Sequence, residues 1–513
     1  MYNDGHEPFD FHPHHLVQRK MLLNAGPQNI LQIGSGAVAT DASALSELPS
    51  AAISRRFLPW LVAAAMFMEQ LDTTILNTAV PTIATALHVA ALNMKSALTS
   101  YMLSLAVFIP ISGWIADRFG TRRVFFTAIG LFTLGSILCG LAINMHMLVA
   151  SRIVQGCGGA LMVPVGRIAL VRTFPKSQLL RAYSFVTIPA LIGPFLGPLA
   201  GGFIVDYLHW RIIFFVNLPM GLLGLYMTFR HMPDYRAAKS DPLDFVGLIL
   251  FSSGIALLSY VLEIFGEPVL SFTSDLCLLA LSVLLLWGYF LHGRKETHPL
   301  LHLRLFDIRT FRAAVAGSFI TRLGIGGLPF LLPLLYQIGL GYTAVQSGLL
   351  IMPQTLAAIA SKPFIPRFLN ALGYRKVLLF NTIAIGGMTL LFITIGPGTP
   401  AWVIAVEAFL FGLCSSIQYL SMNTLAFADL EDADESSGNS IISTVQQMSI
   451  SFGVAIASLA TIMLLGGNRH PSPGRMVWGI HRTFLALGLF TMATAWVFKQ
   501  LRPDDGASVS RLR

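Results

Sequence analysis

The chain has 513 residues, of which 54% are hydrophobic and only 12% are charged. Soluble proteins carry about 25% charged residues, so a chain with half that share must face lipid over most of its length. The net charge of +9 does not indicate a nucleic-acid-binding protein, because the basic residues lie in short loops and form no patch with aromatic residues.

The amino-terminal tail, residues 1–55, is polar and precedes the first apolar run, which begins at Phe57. The tail is interpreted as a disordered cytoplasmic extension, or as the result of a start site assigned too early in the sequence. The alternative is a metal-binding segment. A flexible histidine cluster has no fixed ligand geometry, which favours disorder and predicts no metal site. Four histidines form this cluster: His6, His12, His14 and His15.

Fourteen apolar runs approach the roughly 20 residues that a membrane helix needs. Lysine and arginine concentrate in alternate loops, which is typical of the cytoplasmic side. The even count and this charge pattern predict a multi-pass inner-membrane protein with both termini in the cytoplasm. The predicted helices lie near 57–82, 94–116, 124–143, 146–170, 182–205, 211–231, 244–264, 276–292, 312–335, 347–366, 377–396, 401–425, 438–464 and 481–499.

Two similar segments indicate an internal repeat. Phe-Gly120-Thr-Arg-Arg-Val follows the second predicted helix, and Leu-Gly373-Tyr-Arg-Lys-Val follows the tenth. Helices 1–6 and 9–14 are therefore predicted to be parallel copies around a midplane site, a plan used by many transporters. The predicted fold class is all-α and integral to the membrane, with two parallel six-helix halves plus two inserted central helices.

This repeat divides the chain into five predicted parts. They are a cytoplasmic tail at 1–55, an amino-terminal half at 56–232, two inserted helices with linkers at 233–311, a carboxy-terminal half at 312–500 and a cytoplasmic tail at 501–513.

Asp72 and Arg152 are charged residues inside apolar runs, where a charge persists only for a function such as a proton or substrate pathway. Asp72 lies about 22 Å into the first helix and Arg152 about 9 Å into the fourth from the other side, so their depths coincide. Gln155 shares a helix face with Arg152. Apolar surroundings favour a protonated carboxyl group and a nearby arginine favours the ionised one, so the pair is predicted to couple protons. The alternative is a permanent salt bridge.

The loop between the second and third helices carries glycines and charges at fixed offsets. Glycine permits close helix approach and a tight turn, and an aspartate there can pair with nearby arginines. The loop is predicted to act as a cytoplasmic gate; the alternative is ordinary loop charge. The gating residues are Gly113, Asp117, Arg118, Gly120, Arg122 and Arg123.

The fifth predicted helix contains glycines and prolines, which thin a helix interface and remove backbone hydrogen bonds. It is predicted to be a bending, tightly packed helix that seals the leak path during exchange; the alternative is close packing alone. The residues are Gly193, Pro194, Gly197, Pro198, Gly201 and Gly202.

Together these motifs resemble the major facilitator superfamily, in particular its 14-span drug:proton antiporters (EmrB/QacA-like). The resemblance implies the major facilitator fold and multidrug efflux by proton-coupled antiport with alternating access. It also implies no enzymatic activity and no cofactor, the proton gradient being the energy source. Thr121 and the long tail depart from the family pattern. Three further segments carry the resemblance to the family: Leu71-Asp-Thr-Thr-Ile-Leu-Asn-Thr-Ala-Val-Pro81, Arg152-Ile-Val-Gln-Gly-Cys-Gly-Gly-Ala160 and Trp210-Arg-Ile-Ile-Phe-Phe-Val-Asn-Leu-Pro-Met-Gly221.

Glu69, Asn77, Arg322 and Glu407 are candidate substrate-cavity residues, with Glu407 a candidate partner for Arg322. The arginines at least balance the acids, so an exporter of an anionic metabolite or chelate is an open alternative. A non-transporting membrane sensor or assembly partner is a second alternative. The predicted partners are a small-molecule substrate, protons and the lipid bilayer, without nucleic acid, and the protein is predicted to be a monomer. No Walker loop is present, which argues against ATP-driven transport.

Overall fold

The computed structural model describes residues 41–237, 242–265, 271–431, 434–468 and 471–507. The chain divides into two units, Met1–Ser54 and Arg55–Arg513. Within the described ranges the regular structure is helical and no strand occurs. The long helices are α1 (Asp41–Ala86), α2 (Lys95–Phe119), α3 (Thr121–Gly140), α4 (Met145–Thr173), α5 (Lys176–Tyr207), α6 (Asn217–His231), α7 (Phe245–Ile264), α8 (Phe272–Gly293), α9 (Arg309–Ile325), α10 (Ala344–Ser361), α11 (Tyr374–Leu391), α12 (Ala401–Ala426), α13 (Glu435–Leu464) and α14 (Pro473–Thr494).

Thirteen of the described helical segments are long and apolar enough to cross a membrane, whereas fourteen spans were predicted. The difference is α1, in which Glu69, Gln70, Asp72 and Asn77 lower the mean hydropathy. The tail prediction is also wrong in part, because α1 begins at Asp41 and residues 41–55 are helical. The histidine cluster lies outside the described residues.

Three predicted helices are interrupted. A short helix, Ile212–Phe215, precedes α6, and α9 is followed by Leu328–Leu334 and a π-helical turn at Leu335–Gly339. Another short helix, Ile365–Leu372, follows α10. The break after α9 falls at Gly326 and Gly327, where a Cβ would collide with backbone or with α13. Glycine also weakens a helix interior. These two glycines therefore account both for the break in the helix and for the close approach of α13.

The two halves share a turn of the same construction. Gly120 starts α3 with φ +95° and Gly373 starts α11 with φ +76°, a region that favours glycine. In each half, the chain that follows the last helix returns to this turn. Thr121 N–H donates to the Tyr235 carbonyl at 3.0 Å, and Gly506 packs against the Tyr374 ring. We call the end that carries these turns the basic end and the opposite end the far end.

The halves contact each other towards the far end, along α5–α10 and α2–α13. A Cβ at Gly202 would overlap the Ala344 carbonyl oxygen, and one at Gly348 would overlap the Pro198 carbonyl oxygen. Direct backbone contact of this kind closes the far end tightly. Hydrogen bonds across the halves run from Gln337 to the Thr78 carbonyl, from the Ala344 and Val345 N–H groups to Asp206, from Ser451 to the Thr99 carbonyl and from Ser458 to the Leu92 carbonyl.

Buried hydrophobic residues form three clusters that show which end is closed. One cluster draws on both halves at the far end and includes Leu76, Leu92, Leu331 and Phe411. A second cluster of buried residues belongs to the amino-terminal half, and a third to the carboxy-terminal half with α7 and α8. The shared cluster and the hydrogen bonds between the halves therefore lie towards the far end, and the other two clusters each belong to one half.

The inserted helices α7 and α8 pack on each other and extend the bundle sideways. Ser282 of α8 donates to the Gly254 carbonyl of α7 at 2.9 Å. The end of α7 is fixed to the start of α2, where Lys95 Nζ donates to the Glu263 carbonyl at 2.8 Å and Ser96 donates to the Glu263 carboxylate. Since α7 also contacts α13, it lies on the seam between the two halves.

The segment after α14 is held by Asp505, which yields a pH prediction. Arg309 Nε donates to Asp505 at 3.0 Å and the Arg502 N–H donates at 2.8 Å. Burial raises the pKa of Asp505, but these bonds outweigh it and the pKa lies below its ordinary value. A depressed carboxyl pKa stabilises the docked segment above the ordinary value of about 3.9, and this contribution disappears as the pH falls through the folded-state value.

We therefore expect a spin label at Ala507→Cys to stay immobile at neutral pH and to become mobile only below about pH 4. The Asp505→Asn variant is expected to show a mobile label at every pH. A wild-type label that is already mobile at pH 7 would contradict this docking.

Candidate functional site

The first helix places Asp72 in a buried polar network of the amino-terminal half. Arg152 Nη1 lies 2.6 Å from Asp72 Oδ2, and Gln155 Nε2 donates to Asp72 Oδ1 at 2.7 Å. The side chains of Asp72 and Arg152 are each 1% exposed. The three residues that the sequence predicts as a proton-coupling group therefore meet in one buried cluster.

Arg152 is held on several sides. Its Nη1 also donates to Gln155 Oε1 at 2.7 Å, and its Nε donates to the Ala97 carbonyl of α2 at 3.2 Å. The guanidinium carbon lies 4.2 Å from the centroid of the Tyr101 ring, a cation–π contact. These contacts fix the guanidinium between α1 and α2.

Asn217, at the start of α6, completes the network. Its Nδ2 lies 3.1 Å from Asp72 Oδ1 and 3.1 Å from Ser136 Oγ, and Ser136 donates to the Phe214 carbonyl at 2.7 Å. A search for charged residues in apolar runs misses Asn217. The available signal was a single amide in the run Phe-Phe-Val-Asn217-Leu-Pro, within a segment that resembles the family.

If the chain transports a solute, as the resemblance implies, Asn217→Ala should lower the transport rate about tenfold, because a hydrogen bond to a charged group contributes about 1.5–3 kcal/mol. The matched control is Ser136→Ala, which keeps the Asn217–Asp72 bond and should cost much less. Initial rates and melting temperatures of both variants test this. Equal rates in wild type and Asn217→Ala would remove Asn217 from the site.

Glycines of α4 let its neighbours approach the network. A Cβ at Gly156 would collide with Ser104 of α2, and one at Gly158 would collide with the backbone of Phe132 in α3. Gly135 of α3 faces the Gln155 backbone in the same way. The family-like glycines thus position Arg152 and Gln155 through close helix packing.

The glycines of α5 form a face against α1. Gly193 lies on Leu71, Gly197 on Thr74 and Gly201 on the Ile75 carbonyl, with no room for a Cβ at any of the three. Pro189, Pro194 and Pro198 lie inside α5. Gly202 and Pro198, on the other side of α5, contact α10 of the opposite half. Helix α5 therefore connects the helix of Asp72 with the interface between the halves.

The loop motif makes its contacts within the amino-terminal half. Asp117 Oδ1 lies 2.6 Å from Arg172 Nη2 at the end of α4, and the Arg122 N–H donates to Asp234 at 3.2 Å. Arg118 and Arg123 are exposed. The motif joins α2 to α4 and to the segment after α6, and it makes no described bond to the other half.

The four substrate-cavity candidates are dispersed. Glu69 accepts from the adjacent Gln70 at 3.2 Å, and Asn77 is half-buried in α1. Arg322 donates to Ser318 at 3.1 Å and lies 3.8 Å from the centroid of the Tyr419 ring. Arg322 is 7% exposed and has no carboxylate partner among the described residues.

The expected pairing of Glu407 with Arg322 is wrong. Glu407 Oε1 accepts from Thr394 at 3.0 Å, at the far end of α12. Arg322 lies instead against Tyr419, which is 12 residues along the same helix. Twelve residues correspond to about 18 Å of helix, too far for an ion pair.

Comparisons with known proteins agree with this architecture. The chain is 39% identical over 468 residues to "Putative multidrug resistance protein MdtD" of Escherichia coli (strain K12), covering 91% of this chain and 98% of the relative. The same figures hold for the protein of that name from Shigella boydii serotype 18 (strain CDC 3083-94 / BS512).

Solved transporters share the fold at low sequence identity. A POT family transporter in complex with a thioalcohol-conjugated peptide superposes with a TM-score of 0.64 at 16% identity, over 86% of this chain and 94% of that one. The nucleoside transporter NupG superposes with a TM-score of 0.61 at 11% identity, over 87% of this chain and 100% of that one.

The sequence profile of the Major Facilitator Superfamily matches residues 62–454. Together with the relatives, this match makes the protein a multi-pass membrane transporter of small molecules rather than an enzyme. The chain belongs to the Major Facilitator Superfamily.

Proposed function

We propose that this protein is a proton-coupled exporter, an antiporter that removes drug-like small molecules from the cytoplasm across the inner membrane. One observation carries the proposal: a buried carboxylate, Asp72, paired with Arg152 and Gln155 inside a membrane bundle. A buried ion pair is a weak source of stability, so its presence at membrane depth favours a functional role. The names of the MdtD relatives support drug efflux.

The contacts of α1 suggest how a conformational change would reach Asp72. Gln337 of the opposite half donates to the Thr78 carbonyl at 2.9 Å, six residues after Asp72 on α1. Gly197 and Gly201 of α5 contact the same helix between these two positions. Opening the far end would break the Gln337 bond to α1 and the Ser451 and Ser458 bonds at the start of α2, so the helices on both sides of the Asp72–Arg152 pair would be free to shift.

Separation of the pair supplies the proton step. Burial disfavours an isolated carboxylate, whereas a nearby guanidinium favours it. When the far end is open, Asp72 moves away from Arg152 and takes a proton from the outer side. When the basic end parts, Arg152 pairs with Asp72 again and the proton leaves to the cytoplasm. Substrate crosses outward in the opposite half of the cycle, which is alternating access with exchange.

The experiment is proton-driven uptake into inverted membrane vesicles with a panel of cationic drugs and organic anions. We expect uptake of at least one compound that collapses when an ionophore dissipates the proton gradient. Uptake that persists without the gradient would contradict proton coupling. No uptake of any compound would favour a non-transporting sensor or assembly partner.

A second candidate substrate class is anionic, a metabolite or a chelate, and Arg322 is the observation that favours it. A buried guanidinium without a carboxylate partner can receive one from a ligand. On this reading, Arg322→Ala should abolish uptake of an organic anion and spare a cationic dye, while Arg322→Lys keeps part of the anion uptake. Cationic dye uptake that survives Arg322→Ala, with no uptake of any organic anion, would reject this class.

A further inference from the structure

Asp206, at the far end of α5, binds the backbone of the opposite half. Its Oδ1 accepts a hydrogen bond from the Ala344 N–H at 3.2 Å, and its Oδ2 accepts one from the Val345 N–H at 2.8 Å. Both donors belong to the first turn of α10. One carboxylate therefore holds two backbone groups across the interface between α5 and α10.

The first turn of α10 obtains two of its hydrogen-bond partners from this carboxylate. A helix leaves its first four N–H groups without a partner inside the helix. The Thr343 N–H donates to the Gln346 side chain at 3.0 Å, and the Gln346 N–H donates to the Thr343 hydroxyl at 3.2 Å. The Ala344 and Val345 N–H groups remain, and Asp206 accepts from both. Protein groups therefore complete the cap of α10 when α5 lies against it.

The spacing of residues on α5 explains why the carboxylate reaches α10. Pro198, Gly202 and Asp206 follow each other at intervals of four residues, so they share one face of the helix. The Pro198 carbonyl touches Gly348 of α10, and Gly202 lies on the Ala344 carbonyl with no room for a Cβ. These backbone contacts bring the end of α5 to the first turn of α10, where Asp206 binds.

The charge of Asp206 distinguishes its bonds from the other hydrogen bonds between the halves named above. Gln337, Ser451 and Ser458 are neutral donors to backbone carbonyls. A carboxylate at a helix N-terminus interacts favourably with the helix dipole and forms stronger hydrogen bonds than a neutral group does. Asp206 is also exposed, so water can replace its partners when the helices separate. The contact is therefore both strong and reversible.

We propose that Asp206 is a positioning residue that sets the ratio of the closed to the open state of the far end by capping α10 of the opposite half. A bond that exists in one state alone stabilises that state relative to the other. The inference rests on the alternating access of the proposed function. It does not depend on proton coupling by Asp72 or on the chemistry of the substrate.

The test measures the distance between the halves in the full-length protein in lipid. Spin labels at Ile143→Cys and Trp402→Cys, both exposed at the far end, report this distance in a background with the native cysteines replaced by alanine. Asp206→Asn keeps the size of the side chain but removes its charge and one acceptor oxygen. We expect the ratio of the closed to the open population to fall about tenfold, with a melting temperature within a few degrees of wild type.

Thr343→Ala is the matched control. It removes a cap bond from the same helix end but leaves the two bonds to Asp206 in place. We expect this variant to keep the wild-type distances. Wild-type distances in Asp206→Asn, or an equal shift in Thr343→Ala, would overturn the proposal.

Hydrogen exchange tests the cap directly. The N–H groups of Ala344 and Val345 should exchange slowly in wild type, because they are bonded to Asp206, and about tenfold faster in Asp206→Asn. Fast exchange of both groups in wild type would also overturn the proposal. The expected distance shift in a protein that transports no compound would support the role of Asp206 and reject the proposed function. Gradient-driven uptake with unchanged distances would do the reverse.

Discussion

Replacing Asp72 by asparagine is expected to lower gradient-driven transport at least about 100-fold. The substitution keeps the shape of the side chain but removes the charge that pairs with Arg152, so the site cannot alternate between a protonated and an ionised form. Uptake into inverted vesicles measures the effect. The melting temperature should fall as well, because breaking a buried pair costs about 3–5 kcal/mol.

The double variant Asp72→Asn with Arg152→Gln separates stability from coupling. Neutralising both partners removes the unpaired buried charge, so the melting temperature should recover towards wild type. Transport should not recover, because the titratable group is still absent. If the double variant regains transport along with stability, Asp72 has only a structural role and the permanent salt bridge is the correct interpretation.

Gly348→Val is expected to disrupt transport as severely as Asp72→Asn does, because it changes the interface between the halves. A side chain at Gly348 would overlap the Pro198 carbonyl of α5, where the halves meet without space for a Cβ. Overpacking a tight contact costs about 1–3 kcal/mol, and parting the halves at the far end relieves it. The expected result is a population shifted to the state in which the far end is open. The distance between spin labels at Ile143→Cys and Trp402→Cys, both exposed at the far end, measures this shift.

The matched control for Gly348→Val is Gly387→Val in α11. A Cβ at Gly387 meets no atom within 4 Å, so this change carries the helix cost of valine without the clash. We expect Gly387→Val to keep wild-type distances and most of the transport. Two variants that behave alike would show that valine in a helix, and not the contact with α5, produced the effect.

The pairing of Asp72 with Arg152 was predictable because both depths follow from the fixed rise of an α-helix. The same reasoning failed for Arg322 and Glu407. Depth along a helix does not give the direction of a side chain, and α9 is broken at Gly326 and Gly327. Arg322 turns instead to the Tyr419 ring, a cation–π partner that a search for opposite charges overlooks.

The conformational state of the bundle lay outside what the sequence predicts. A sequence that alternates between two states must satisfy the packing of both, so its motifs mark the moving parts without choosing an arrangement. The contacts of Asp117 illustrate this, since the bond that forms here is to Arg172 in the same half. Asn217 was missed for another reason, because an uncharged amide in an apolar run gives a weak signal.

The most direct test of proton coupling compares two transport modes of Asp72→Asn in proteoliposomes. Net transport driven by a pH gradient needs proton release and uptake at Asp72, whereas exchange of labelled for unlabelled substrate needs only binding and the conformational change. We expect the variant to lose gradient-driven transport and to retain exchange. Gradient-driven transport at the wild-type rate in Asp72→Asn would contradict it.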